Sequence, residues 1–152
     1  METKEAEPPP NPTYSGIASD TQCECLTQSE INITDQFVRK LRKEQVTDLD
    51  FKSHWERGIR NTEECEDVCG LKGISVDRFS DDAIDAIVAK YKTTFNINPK
   101  KGAHYLKFKF NDRAGLVKKT PGIENDENHY DFYKSDEFVM SCISVAETVK
   151  FA

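Results

Sequence analysis

Four of the five cysteines in this chain fall into two close pairs, and this spacing restricts the available folds more than any other feature. Proteins commonly build a tetrahedral zinc site from two short chelating turns. The spacing therefore predicts one structural zinc ion, with the ligands Cys23, Cys25, Cys65 and Cys69. Gly70, directly after the second pair, suits a tight turn around a metal. Buried free thiols and a redox-active disulfide are the two other interpretations.

The expected cellular compartment favours the metal. Residues 1–20 have neither the basic start nor the apolar centre of a signal peptide. No apolar run approaches the roughly 18 residues that cross a bilayer. We therefore expect a cytoplasmic protein with no membrane partner, and cysteines in the cytoplasm bind metal more often than they form disulfides. The triplet Asn32-Ile33-Thr34 matches the acceptor pattern for N-linked glycosylation, and in the cytoplasm it would stay unmodified.

The chain length of 152 residues is that of one ordinary domain. Nine Phe, five Tyr and one Trp supply the bulky groups that a hydrophobic core needs. Residues 1–20 contain Pro8-Pro9-Pro10 and Pro12 but few large apolar side chains, which is typical of a solvated leader. The sequence thus predicts a disordered, proline-rich leader over residues 1–20 and a single domain over residues 21–152.

Helical patterns dominate the first half of the predicted domain. Residues 34–41 begin with a candidate N-cap, Thr34, and continue with apolar residues at helical spacing. Residues 53–58 match a capping box followed by a glycine, which predicts a short helix. The clearest helix runs from Ser80 to about Thr93, where apolar residues recur every three or four positions after two aspartates.

The second half changes to a period of two. In residues 103–110 the pattern predicts a strand with a buried face of His104, Leu106, Phe108 and Phe110 and an exposed face of Tyr105, Lys107 and Lys109. Leu116-Val117 is expected to be a short return strand, and 129–133 and 138–145 are further strands. Cys142 should be a core residue of the last strand. The predicted class is α+β, with a zinc-stabilised, helix-rich N-terminal half and an antiparallel, β-rich C-terminal half.

Charge is unevenly distributed in that second half. Residues 96–119 hold seven basic residues and one acidic residue, and residues 120–137 hold six acidic residues and one basic residue. These blocks either cancel across a sheet or steer a charged partner. The second interpretation predicts a nucleic-acid-binding strip, in which lysines neutralise phosphates and an aromatic ring stacks on bases. Its candidate residues are Lys100, Lys101, Tyr105, Lys107, Lys109, Lys118 and Lys119.

A different function follows from His54-Trp55-Glu56 and the cysteines Cys65 and Cys69. This arrangement resembles the H-x-E…P-C-x-x-C motif of zinc nucleobase deaminases. The resemblance implies a zinc-dependent deaminase or hydrolase, with His54 and the two cysteines as ligands and Glu56 as the proton carrier. The cysteines here are separated by three residues instead of two, and no proline precedes them.

No other catalytic motif stands out. The sequence has no glycine-rich phosphate loop and no G-x-S-x-G elbow. His104 and His129 lie in aromatic strands, where a partly buried imidazole is ordinary. Acids such as Asp48, Asp50 and Asp131 could serve a nuclease, but acids are abundant in this chain and none of them stands in a diagnostic spacing. The sequence therefore favours a non-enzymatic binding or adaptor protein that has a structural zinc site and a protein partner; nucleic-acid binding and a zinc-dependent enzyme are the alternatives.

Overall fold

The computed structural model describes residues 11–18, 23–94, 103–120 and 128–151. It contains one six-stranded sheet, in which every pair of neighbouring strands is antiparallel. The strands are β1 (Phe37–Lys40), β2 (Ile74–Arg78), β3 (His104–Phe110), β4 (Gly115–Lys119), β5 (His129–Lys134) and β6 (Ile143–Lys150), and the helices are α1 (Ser15–Ala18), α2 (Cys65–Lys72) and α3 (Ile84–Thr94). The order across the sheet is β4-β5-β2-β1-β3-β6. The α+β class is confirmed, with a predominantly β character.

The predicted helix over residues 34–41 is wrong, because Phe37–Lys40 form strand β1 in the middle of the sheet. Phe37 and Val38 are both fully buried, and they point to opposite faces of the sheet. A strand that is buried on both faces has no polar alternation, so its short apolar run is indistinguishable from a helical one. With β1 and β2 in it, the N-terminal half is not the helix-rich unit that the sequence suggested.

The helix expected from Ser80 forms, whereas the short helix expected over residues 53–58 does not. The helix expected from Ser80 is confirmed as α3, which begins at Ile84 after a turn in which the Ser80 hydroxyl accepts a hydrogen bond from the amide of Ala83. Residues 53–58 contain the capping-box hydrogen bonds, with the Glu56 amide donating to the Ser53 hydroxyl. They form only hydrogen-bonded turns, which end at Gly58 with φ +89°.

The main core lies on the concave face of a strongly curled sheet. The rings of Phe110 on β3 and Phe132 on β5 stack with centroids 4.2 Å apart, although β1 and β2 lie between their strands. The buried members of this core are Phe37, Leu41, Phe51, Ile74, Val76, Leu106, Phe108, Phe110, Ala114, Val117, Phe132, Cys142 and Ile143. Cys142 is thus confirmed as a core residue, although it lies in the 3-10 turn Met140–Cys142 just before β6.

A second, smaller core covers the other face of the sheet. Val38 and Tyr105 of the sheet pack there against Ile87 and Tyr91 of α3. The sequence placed Tyr105 on an exposed face, but the side chain is buried. Period-two alternation separates the two faces of a strand, but it does not reveal whether a helix covers the second face.

Strand β4 does not return along β3. It pairs with β5 instead, so three strands lie between β3 and β4. Gly115 makes this pairing possible, because its φ is +154° and a Cβ there would lie 2.1 Å from the carbonyl oxygen of Tyr133. The outer edge of β4 is bridged at Val117 by Glu30 through two backbone hydrogen bonds.

Part of the expected leader, residues 11–18, lies against the domain. The carboxylate of Asp136 accepts hydrogen bonds from the side chains of Thr13 and Ser15 and from the amides of Ser15 and Gly16. Pro12 is buried, and the ammonium of Lys72 donates to the carbonyl of Ile17. The rest of the expected leader, residues 1–10 and 19–20, lies outside the described residues.

Candidate functional site

The cysteines predicted to bind zinc form two disulfides, Cys23–Cys65 and Cys25–Cys69. Cys65 and Cys69 are one turn apart on α2, so they project from the same face of the helix. Each of them meets one cysteine of the first pair, and the pairs therefore bond to each other. Within the described ranges, no group of three or more His, Cys, Asp or Glu side chains could hold a metal ion. The predicted zinc cofactor is thus wrong.

The two disulfides also contradict the expectation of a cytoplasmic protein. Structural disulfides form and persist in oxidising compartments, whereas cytosolic thiols are kept reduced. The sequence favoured zinc over disulfides because a cytoplasmic protein keeps its cysteines reduced. The disulfides remove that reason. No helix in the described part of the chain is both long and apolar enough to cross a membrane.

The zinc-deaminase interpretation fails for the same reason. His54 is exposed in a turn, and both candidate cysteine ligands are oxidised. Glu56, the expected proton carrier, forms an ion pair with Lys134 at 2.7 Å. These side chains therefore have structural contacts and do not form a shared metal site.

The candidate nucleic-acid strip is broken within β3. Tyr105 is buried under α3 and cannot stack on a base. Lys107 forms an ion pair with Glu147 at 3.2 Å, and its ammonium lies 4.2 Å from the centroid of the Phe79 ring. Of the candidates on this strand, Lys109 is the exposed one.

The remaining candidates do not extend a common surface. Lys118 and Lys119 are neighbours on β4, so they point to opposite faces of the sheet. The ammonium of Lys118 lies 3.5 Å from the carbonyl oxygen of Cys25, beside the disulfides. Lys100 and Lys101 lie outside the described residues. The described lysines of the strip are thus distributed over separate places.

A cleft of about 760 Å³ opens between α2 and the strands β4 and β5. The cleft has the size of a small-molecule binding site. One wall is α2, with Cys65 and Cys69, and the other is formed by side chains of β4 and β5. The disulfides hold this wall in place together with the hydroxyl of Tyr133, which donates to the carbonyl of Cys69 at 3.0 Å.

Asp131 is the buried acid of this cleft, with only 7% of its surface exposed. Burial raises the pKa of Asp131, and the opposing effects of His129, Thr120 and Lys118 offset only part of that increase. Gly73, at the end of α2, leaves the space that this side chain occupies, since a Cβ there would lie 3.0 Å from the Cβ of Asp131. A buried acid with a perturbed pKa in a cleft is typical of a functional site.

Polar neighbours of Asp131 come from paired positions on β4 and β5. Lys118 lies directly opposite Asp131 in the ladder. Two residue pairs further on, and so on the same face, the hydroxyl of Thr120 lies 2.6 Å from Nδ1 of His129. Tyr133 stays a neutral hydrogen-bond donor, because burial and the nearby Asp131 raise its pKa. The site therefore combines one buried acid with a hydroxyl, an imidazole, an ammonium and a phenol.

The acids at the cleft outnumber the bases. Glu24, Glu66 and Asp67 are exposed lining residues, and Asp131 lies below them. Lys118 is the basic side chain among the described lining residues. Glu66 and Asp67 stand in the first turn of α2, where their charges offset the positive end of the helix. The potential in the cleft therefore favours cations.

One pattern in the sequence points to this site. His129, Asp131 and Tyr133 alternate along β5, so they had to share one face of the predicted strand. The sequence did not indicate that α2 would lie opposite that face, or that Lys118 and Thr120 would pair with it.

Comparisons of the chain with protein-family models, with curated proteins and with solved structures found no match.

Proposed function

We propose that the protein is a binding module of an oxidising compartment, and that it takes a small cationic ligand into the cleft between α2 and the strands β4 and β5. The buried carboxyl of Asp131 carries this proposal. A ligand with a primary amine or a guanidinium group would place its positive charge on that carboxylate. Its remaining atoms would lie along Leu71 and the ring of Tyr133, which also line the cleft.

The energetics of Asp131 support a cationic partner. A buried carboxylate loses hydration, and this cost must be offset by an opposite charge or by hydrogen bonds. Among the described residues, no ion pair within 4.0 Å involves Asp131. Burial raises its pKa even though a hydrogen bond from Thr120 and the charges of His129 and Lys118 oppose the increase. An entering cation would supply the missing charge in a poorly solvated position, where the attraction is stronger than in water.

The exposed acids at the cleft make a second, weaker contribution to the binding of a cation. Their charges attract a cation from solution but are screened by salt. Binding should therefore depend strongly on Asp131 and only modestly on Glu24, Glu66 or Asp67. Lys118 works against a second cation near β4, so we expect a ligand with one charged group at the carboxyl.

A matched ligand series tests the proposal. Thermal shift and calorimetry on the full chain would compare primary amines and guanidines with their N-acetylated, neutral counterparts and with carboxylates of similar size. We expect the cationic members alone to bind, and Asp131→Asn to lose at least about tenfold in affinity, as for a lost charged hydrogen bond. Asp112→Asn, an exposed aspartate in the turn before β4, is the control and should bind normally.

The same titrations have a predicted pH dependence. Because the free carboxyl has a raised pKa and a bound cation lowers it, binding should release a proton and strengthen as the pH rises through the pKa of Asp131. Calorimetry in two buffers of different ionisation enthalpy measures that proton. Equal binding of the neutral analogues, or unchanged binding by Asp131→Asn, would contradict the proposed function.

A further inference from the structure

A separate feature lies in the turn that follows the Glu30 bridge at the edge of β4. The side-chain oxygen of Asn32 accepts hydrogen bonds from the amides of Thr34 and Asp35, at 3.2 and 3.0 Å. Its side-chain nitrogen donates one hydrogen bond to the carboxylate of Asp35, at 2.9 Å. The amide group of Asn32 is thus held in one orientation, with one of its two N–H hydrogens used.

Two exposed isoleucines flank Asn32 in the sequence. Ile31 and Ile33 are 46% and 51% exposed, and Thr34 is exposed as well. A bulky hydrophilic group attached between them would shield both side chains.

The sequence around Asn32 is the acceptor pattern Asn-x-Thr. The full sequence contains one other Asn-x-Thr triplet, Asn11-Pro12-Thr13, and its central proline makes it inactive as an acceptor. A cytoplasmic location would leave Asn32 unmodified, but the two disulfides contradict that location. Disulfide formation and N-linked glycosylation are both features of secreted proteins.

We infer that Asn32 is an acceptor site for an N-linked glycan. In the reaction, Nδ2 of Asn32 forms a bond to the anomeric carbon of an oligosaccharide carried on a lipid pyrophosphate. The bond from that carbon to the pyrophosphate breaks, the lipid pyrophosphate leaves, and Nδ2 loses one proton. The second N–H hydrogen remains, so the hydrogen bond to Asp35 in the folded protein is compatible with the attached sugar.

The test is expression of the full chain behind a cleavable secretion signal in a eukaryotic host. We expect the secreted protein to migrate more slowly on a gel than its unglycosylated form, and an amidase that removes N-glycans should abolish the difference. Peptide mapping should then find aspartate at position 32. Asn32→Gln and Thr34→Ala should each lose the shift, whereas Thr34→Ser should keep at least part of it.

A positive control separates a poor acceptor from a failed experiment. Pro12→Ala removes the proline that blocks Asn11-Pro12-Thr13 and gives the chain a second acceptor triplet. Glycosylation of the Pro12→Ala variant at position 11, together with an unmodified Asn32, would overturn the inference. Increased aggregation of secreted Asn32→Gln relative to the parent protein would support the shielding of Ile31 and Ile33.

Discussion

Asp131 is an acid whose position favours binding over stability. Its carboxyl is buried beside Gly73 and opposite Lys118, and its pKa is raised. Residues kept in unfavourable surroundings are characteristic of binding and catalytic sites, where stability and activity oppose each other. The contrast with Asp50 is informative, because that buried carboxylate accepts backbone hydrogen bonds from Thr47 and Arg42 and is structurally satisfied.

We predict that Asp131→Asn stabilises the free protein at neutral pH. The pKa of this group is higher in the folded than in the unfolded state, so its favourable contribution is complete below the unfolded pKa and is lost as the pH rises through the folded pKa. The variant should therefore be more stable than the parent protein at pH 7, and the difference should disappear as the pH falls below the unfolded pKa of about 3.9. Denaturant unfolding at a series of pH values measures it, with Glu24→Gln as the exposed control. A variant that is less stable at pH 7 would show that the carboxylate is structural.

Helix α2 is the element on which the cleft depends. It is eight residues long, too short to be stable by itself, and its position is fixed by Val68, by the Tyr133 hydrogen bond and by two disulfides one helical turn apart. The disulfides join it to the same short segment, Cys23–Cys25. They therefore act as a double staple that keeps one wall of the cleft in place.

The double staple predicts strongly non-additive effects of cysteine replacement. Sequence separations of 42 and 44 residues correspond to about 4 kcal/mol for either disulfide closed alone. Once one is closed, the other closes only a small ring and adds about 2 kcal/mol. Cys23→Ala with Cys65→Ala, or Cys25→Ala with Cys69→Ala, should thus cost far less than all four replacements together. Equilibrium unfolding of the three variants measures this.

A reductant and a metal chelator distinguish the two disulfides from a metal site, because each destabilises only one of them. A reductant should lower the melting temperature of the parent protein, and a metal chelator should leave it unchanged, because the four predicted zinc ligands are paired as disulfides. A fall in melting temperature with the chelator alone would restore the zinc interpretation.

At the scale of the whole fold, the described residues form a curled sheet with a hydrophobic core on each face. The concave face holds the aromatic core around Phe108 and Phe110, and α3 covers part of the other face through Tyr91 and Tyr105. This arrangement explains why β1 and β3 have apolar residues at successive positions. It also leaves the neighbouring part of that second face, at β4 and β5, to α2 and the cleft.

Aromatic deletions on the two faces of β3 test this architecture. Phe108→Ala should cost roughly 3–5 kcal/mol, because the ring is fully buried in the concave core. Tyr105→Ala should also cost more than about 2 kcal/mol, since α3 packs on its ring. Lys109→Ala is the exposed control on the same strand, and it should stay within about 0.5 kcal/mol. A neutral Tyr105→Ala would show that α3 does not cover that face.

The sequence by itself determined the features that depend on local chemistry. The alternation in 103–110 and the helical spacing after Ser80 specified β3 and α3, since a strand and a helix each impose their own period on neighbouring residues. The apolar run around Cys142 placed that cysteine in the core. The alternation of His129, Asp131 and Tyr133 also put the central residues of the candidate site on one face.

Only the tertiary structure decided what these faces meet. The sequence could not distinguish cysteines that chelate from cysteines that bond to each other, because that depends on how closely Cys23–Cys25 approaches α2. Nor could it assign β4 to β5 rather than to β3, or cover Tyr105 with α3. Pairing and burial are contacts between distant parts of the chain, and local periodicity carries no information on which distant part arrives.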